Sequence, residues 1–342
     1  MHLLLWRLFA VADKLLEVKH LKKYFKTKNG LLHAVDDVNF SISRGETFGL
    51  VGESGCGKST IGRLILGLQE ANAGEILFNG QDICSMTKKQ LHELRKDLQI
   101  VFQDPYSSLN PRMSISEIIA EPLIIHKLTS NKTQLDEEVD RLMDVVGLSQ
   151  RLINAYPHEL DGGRRQRVGI ARALSVKPQF IVCDEPVSSL DVSIQAQILN
   201  LLKDLQSEFG LTYLFVTHDL SVVKHFSNNI AVMYLGQVVE LAKSDELFTR
   251  TIHPYSQALL SAIPEPNIRR KMQRVKLIGE LTSPINPVPG CRFAKRCLYS
   301  QEQCTGRDPV LEDFGNDHYC ACFRAKELQN YQASTKGDIR DE

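Results

Sequence analysis

The stretch GESGCGKST, Gly52 to Thr60, constrains the fold more than any other part of this 342-residue chain. It fits G-x-x-x-x-G-K-[ST], follows the apolar run ETFGLV and leads into the helical pattern IGRLILGL. Such a run dictates strand, tight loop and helix in immediate succession. Gly52, Gly55 and Gly57 let the backbone turn tightly enough to aim its N–H groups at one point. The helix that begins there adds the positive end of its dipole, so the loop suits phosphate oxygens. Lys58 is placed to neutralise the outer phosphates and the Ser59 hydroxyl to ligate magnesium. Glu53, Ser54, Cys56 and Thr60 complete this cofactor-binding stretch.

A phosphate loop needs an acidic partner at the end of a neighbouring strand, and FIVCDEP provides one. Asp184 would position the magnesium, and Glu185, one residue on, would polarise a water. The run LFVTHDL puts His218 at the end of another strand, where it could contact the γ-phosphate, and QIVFQ puts Gln103 at a strand end. Singly, a histidine or glutamine at such a place carries little information. Together with the loop they outline a nucleotide-hydrolysing site.

The texture of the chain fits that reading. Residues 14–51 alternate apolar and polar positions around an Asn29-Gly30 turn, as antiparallel strands do. The short apolar runs LQIVF (98–102), FIVCD (180–184) and TYLFVT (212–217) are expected as buried parallel strands. Over 191–209, Ile198, Leu201, Leu202, Leu205 and Phe209 recur at helical spacing until Gly210 stops the run. Strands alternating with helices predict an α/β fold. Residues 104–160 read as a helical insertion, and prolines accumulate after about residue 264.

In order, the chain carries the phosphate loop, Gln103, a glycine-pair helix start, Asp184-Glu185, SSLD (188–191) and His218. This series resembles the ATP-binding cassette (ABC) ATPase family over about residues 14–262. The runs VFQDPYSSLNPRMS, DEPVSSLDVSIQAQILNLL, HPYSQALLSAIPEP and PGCRFAKRCLYSQEQC narrow the resemblance. Together they are similar to ATP-binding subunits of bacterial oligopeptide/dipeptide importers, to about residue 324. The resemblance implies an α/β P-loop core with an antiparallel β subdomain and a helical insertion, plus a small C-terminal cysteine-rich module. Its divisions are an N-terminal arm (1–13), the ATPase domain (14–264), the module (265–325) and a polar tail (326–342). It also implies ATP and Mg2+ as cofactors, with Phe25 or neighbouring Tyr24 stacked on adenine and Glu185 as general base. Gln103 would link magnesium and water to the insertion. The implied partners are a second, different ABC ATPase, two membrane-spanning permease subunits and an extracytoplasmic peptide-binding protein. The implied location is peripheral, on the cytoplasmic face of the bacterial plasma membrane.

In this family two cassettes pair head to tail, and each ATP lies between one phosphate loop and the opposite signature, Leu-Ser-Gly-Gly-Gln. Here the signature is Leu160-Asp161-Gly162-Gly163-Arg164. Asp161 puts an acceptor-only carboxylate where a hydroxyl donor belongs. Two unit charges 4 Å apart repel by about 4 kcal/mol at an effective dielectric of ~20. Arg164 offsets part of this, since a guanidinium pairs with carboxylate or phosphate. The expectation is a weakened signature, which a heterodimer confines to one of its two ATP sites. The alternative is that Asp161 turns outward as a helix N-cap.

Of eight cysteines, Cys56, Cys84 and Cys183 read as small buried hydrophobes. Cys291, Cys297, Cys304, Cys320 and Cys322 crowd the C-terminal end, where clustered thiols suggest metal before disulfides. Spacing alone leaves Zn2+ and an iron–sulfur cluster both open. The importer resemblance implies a [4Fe–4S] cluster on Cys291, Cys297, Cys304 and Cys322.

Composition excludes other classes. With 41 basic and 41 acidic residues the chain offers no global field for nucleic acid, and no basic stripe interleaved with aromatics is present. No apolar run reaches the roughly 18 to 20 residues that span a bilayer. The start, MHLLLWRLFAVADKLLEV, has the outline of a secretory leader ending at Ala12, but it lacks a positive cluster and Arg7 interrupts it. It reads as an arm.

Overall fold

The computed structural model describes residues 14–263, 275, 277, 279 and 283–329. The expected arm (1–13) and most of the polar tail lie outside the described residues. Two sheets build the rest. The first is antiparallel, with β1 (Lys14–Thr27), β2 (Gly30–Ser43), β4 (Ala73–Phe78) and β5 (Gln81–Asp82) in the order β2-β1-β4-β5. Leu16, Val18 and Leu21 of β1 and Val35, Val38 and Ile42 of β2 are fully buried. They share one apolar cluster with Ile61, Leu64 and Ile65 of α1 (Lys58–Ile65), the helix that follows the glycine loop.

The second sheet holds β3 (Thr47–Val51), β6 (Leu98–Val101), β7 (Phe180–Asp184), β8 (Thr212–Thr217), β9 (Asn229–Tyr234), β10 (Gln237–Lys243), β11 (Glu312–Asp313) and β12 (Tyr319–Cys320). Their order is β11-β12-β10-β9-β3-β8-β7-β6. From β9 to β6 all neighbours are parallel, and β3, β7 and β8 are buried at every position, as strands covered on both faces must be.

Between β5 and β6 lies α2 (Lys88–Leu94), and between β6 and β7 come α3 (Pro105–Ser108), α4 (Ile115–Ile125), α5 (Lys132–Val145) and α6 (Gly162–Leu174). Side chains cap these helices. Ser114 and Glu117 form a capping box on α4, and Asn131 caps α5. Ile118, Ile119 and Leu123 of α4 meet Leu142 and Met143 of α5 and Val168 of α6 in a core continuous with the parallel sheet. α7 (Val192–Phe209) ends at Gly210, whose φ of 65° is left-handed. Ile198, Leu202 and Leu205 form its buried stripe, but Phe209, expected there, is 42% exposed at the helix end. α8 (Leu220–Phe226), α9 (Ser244–Thr249) and α10 (Pro254–Ser261) follow. No helix among the described residues is long and apolar enough to cross a membrane.

Two expectations need correction. Cys56 and Cys183 are buried, but Cys84 is exposed, in a tight turn after β5 where its N–H bonds the Asp82 side chain. The C-terminal segment is not a separate small module either. β12 pairs with β10 (Glu240 opposite Cys320), the Ala321 N–H donates to the Val239 carbonyl at 2.8 Å, and the His33 N–H donates to the Pro284 carbonyl. An edge strand such as β10 presents unpaired backbone groups, and the C-terminal segment satisfies them.

Candidate nucleotide site

Strand order assembles the site. β3, β8, β7 and β6 lie side by side and run the same way, so their C-terminal ends share one edge of the sheet. Open α/β sheets place ligands at that edge. Just beyond those ends stand Gly52, His218, Glu185 and Gln103, and a cleft of about 710 Å3 opens over them. It is lined by Phe25, Gly52, Glu53, Ser54, Gly55, Gly57, Lys58, Ser59, Thr60, Gln103, Glu185 and His218. Of the residues expected at the nucleotide, Cys56 and Asp184 do not line it. Cys56 is turned into the core, and Asp184 lies beneath, 7% exposed.

Gly57 has φ 109°, and a Cβ there would lie 2.1 Å from the Ala34 carbonyl oxygen. No other residue fits where β2 crosses so close to the loop. Lys58 is held inside the loop, its Nζ donating to the carbonyls of Gly52 (2.8 Å) and Glu53 (3.1 Å). The Ser59 hydroxyl donates to Asp184 Oδ1 at 2.8 Å. Burial pushes the Asp184 carboxyl above the usual carboxylate range, against the opposing pull of Ser59, Arg63 and Lys58. A hydroxyl and a carboxylate at hydrogen-bond distance are the hard oxygen donors that magnesium takes.

Glu185 stands in an unusual backbone conformation, φ 48°, held by its N–H bond to the Val216 carbonyl of β8 at 2.9 Å. Non-glycine residues take up such strain where the surroundings over-determine them. Gln103 Nε2 (3.0 Å) and His218 Nδ1 (3.1 Å) both meet the same carboxylate oxygen, Glu185 Oε2. Among the described residues no donor is bonded to Oε1, the oxygen left to accept from a water.

On the adenine side the two aromatic candidates separate. Tyr24 is engaged elsewhere, its ring stacked on His33 at 4.0 Å and its hydroxyl donating to Asp36. Phe25 lines the cleft.

The geometry has relatives. The family model for ABC transporters matches residues 35–188, and that for the oligopeptide/dipeptide transporter C-terminal region matches residues 239–304. The oligopeptide transport ATP-binding protein OppF of Haemophilus influenzae is 51% identical over 91% of this chain and 97% of its own length. The chain belongs to the ATP-binding cassette transporter family. The Bacillus subtilis protein of the same name is 56% identical over 78% of this chain and 88% of its own. Among solved structures, a dimeric ATP-binding cassette in a post-hydrolysis state with ADP and Pi is 30% identical, with a TM-score of 0.62. It covers 67% of this chain and 98% of its own, and the core fold is that of an ABC ATPase.

The ABC signature lies apart from the cleft, since none of Asp161, Gly162, Gly163 and Arg164 lines it. Asp161 is the N-cap of α6. Its Oδ1 accepts from the Arg164 N–H at 2.8 Å, and its other oxygen pairs with the Arg164 guanidinium at 3.3 Å. The structure therefore takes the N-cap alternative. The carboxylate is spent on its own helix rather than left bare, which reduces the repulsion expected from the sequence. Gly163 has a packing role that the sequence does not reveal, because a Cβ there would lie 2.7 Å from Ile194 Cγ2 of α7.

The C-terminal region of this ABC chain gathers Cys291, Cys297, Cys304 and Cys322 around one recess, together with His253. Cys320 is buried elsewhere, in an apolar cluster with Ile252 and Ala325. His253 is 1% exposed, its Nδ1 accepts from the Tyr255 N–H, and its Nε2 is buried without a partner. Burial pushes the Cys291 thiol up to about 12 and the Cys322 thiol up to about 11. Thiolates here require a positive centre. Among the described residues no group of three or more His, Cys, Asp or Glu is arranged to hold a metal ion. This applies to Zn2+ and to the expected [4Fe–4S] cluster alike.

Two further side chains reach the phosphate loop. Arg296 grips Glu53 with both terminal nitrogens, and Tyr255 Oη accepts from the Glu53 N–H at 3.0 Å. Both lie in runs that carry the importer resemblance, HPYSQALLSAIPEP and PGCRFAKRCLYSQEQC, but nothing in those runs points to Glu53 as their partner. They lie more than 200 residues from their partner.

Proposed function

We propose that this chain binds and hydrolyses ATP to power import of oligopeptides or dipeptides through a membrane transporter. The C-terminal match and the names of the relatives support the substrate class. The observation that carries the hydrolytic part is the double grip on Glu185 Oε2 by Gln103 and His218. In this reading Glu185 accepts a proton from water through Oε1 while Gln103 and His218 fix its orientation. Lys58 leaves the loop carbonyls for the β/γ-phosphates, and Phe25 stacks on adenine. Magnesium, when bound by Ser59 and Asp184 with Gln103 near it, offsets the phosphate charge.

The reading includes the larger assembly. The chain pairs with a second, different ABC ATPase, and the pair sits on the cytoplasmic face of the plasma membrane against two membrane-spanning permease subunits served by an external peptide-binding protein. Residues 14–264 form the ATPase domain, with the insertion at 104–160 facing the permease. Cys291, Cys297, Cys304 and Cys322 hold a [4Fe–4S] cluster, with His253 beside it.

The test is Glu185→Gln in the transporter assembled in membranes. A side chain that keeps its shape and loses its basicity should retain ATP binding while the rate contributed by this site falls about 100-fold or more. Full turnover in that variant, or co-purification of the chain with nucleic acid instead of membrane subunits, would overturn the reading.

A further inference from the structure

Five residues separate Cys291 from Cys297, and one of them, Arg296, reaches the phosphate loop from the C-terminal segment, while Arg292 bonds β2 at Asp36. Arg296 Nη1 lies 2.8 Å from Glu53 Oε2 and Nη2 lies 3.2 Å from Oε1, a two-pronged pair on the phosphate loop. The arginine is 8% exposed, packs over the Tyr234 ring at 5.8 Å and bonds the Tyr234 hydroxyl. A buried guanidinium fork of this kind fixes geometry far more firmly than a surface ion pair does. Arg292 bonds Asp36 and the Leu235 carbonyl. Asp36 in turn accepts from the Tyr24 hydroxyl and His33, one residue from Phe25.

The link between the arginines and the thiols is short and stiff. Arg296 immediately precedes Cys297 in a tight turn, where the Cys297 N–H bonds the Ala294 carbonyl. Phe293 anchors that turn among the rings of Tyr234 (5.3 Å), Tyr255 (5.4 Å) and His253 (5.8 Å). In such a densely packed interior a displacement at Cys297 cannot be absorbed locally.

We propose that Arg296 is a positioning residue of the nucleotide site, which holds the phosphate loop through Glu53 and passes the state of the Cys291–Cys297 thiols to bound ATP. This rests on the ATP-site reading above and holds for whatever group the thiols carry. It gives the C-terminal segment a task in the ATPase cycle. The loop that must cradle the phosphates is braced from outside the ATPase core, by a residue adjacent to a thiol.

Equilibrium binding of a fluorescent ATP analogue to the full chain tests it, with Lys58→Ala as the control for the site itself. Arg296→Met should weaken binding about 10-fold and raise KM for ATP while leaving kcat of the assembled transporter within about 2-fold. Arg296→Lys, which keeps the charge and loses the fork, should recover part of the affinity. Cys297→Ser should weaken binding in the native chain and add nothing in the Arg296→Met background, because contacting groups in one network are non-additive. Native affinity in a folded Arg296→Met or Arg296→Lys chain overturns the positioning role. Independent, multiplicative effects of Cys297→Ser and Arg296→Met overturn the coupling. A native chain that binds no more ATP than Lys58→Ala refutes the nucleotide reading instead.

Discussion

Asp184 sets stability against chemistry. Its carboxyl is almost fully buried next to Glu185, and desolvation raises its pKa. A raised carboxylate binds its proton more tightly folded than unfolded, so its contribution to stability is present at low pH and is lost as pH rises through the folded pKa. Where the carboxyl is ionised, it is a charge that the fold disfavours and that a divalent cation relieves. Asp184→Asn keeps an acceptor for the Ser59 hydroxyl and removes that charge. We expect this variant, free of nucleotide and magnesium, to melt roughly 1–2 °C higher than the native chain at neutral pH, which is about 1 kcal/mol in a chain of this size. The difference should shrink as pH is lowered. The same variant should lose at least about 10-fold in magnesium-dependent ATP affinity. Calorimetry across pH and a magnesium titration check the two halves. A variant less stable than the native chain at neutral pH would show that burial of Asp184 is not what raises its pKa.

At the scale of elements, the signature helix α6 is fixed at its start by two devices, the Asp161 cap and the contact of Gly163 with α7. Alanine is the better helix former by about 1 kcal/mol, so propensity alone favours Gly163→Ala. The 2.7 Å approach to Ile194 Cγ2 reverses that, because the β-branched side chain has little freedom to yield. Overpacking of this kind costs about 1–3 kcal/mol, and Ile194→Ala in the same chain should return most of it. Urea unfolding of the two single variants and the double variant checks this, and a Gly163→Ala chain as stable as the native one would refute it. The glycine pair was legible as a helix start because neighbouring residues announce it. Its second duty was not, because Ile194 lies 31 positions on, in a separate helix. For the same reason the strand–loop–helix of the phosphate site could be read from consecutive residues, whereas the end of the α7 stripe could not. Phe209 keeps the helical period but lies 42% exposed at the last position of the helix.

At the scale of the whole molecule, legibility followed the distance along the chain over which an interaction is made. The residues of the cleft each end a buried strand and carry their own local signals, so Gly52, Gln103, Glu185 and His218 could be named before strand order placed them side by side. The pairing of β12 with β10 and the grip of Arg296 on Glu53 join distant segments, and consecutive residues do not reveal which partners they meet. The same logic governs Asp161. Its side chain is 60% exposed, on the surface where a head-to-tail partner would place its phosphates, and it already accepts from Arg164. A cap that occupies the helix N-terminus leaves fewer donors for a partner's phosphate. In a pair of different ATPases the effect falls on the site that joins this chain's signature to the partner's phosphate loop. On the proposed reading Glu185→Gln would silence the other site, so the residual turnover of that complex would report the Asp161 site alone. Adding Asp161→Ser should raise this residual rate at least about 10-fold, since one donor to developing charge is commonly worth more than that. If the rate does not change, the cap and its arginine already neutralise the carboxylate and both sites turn over alike.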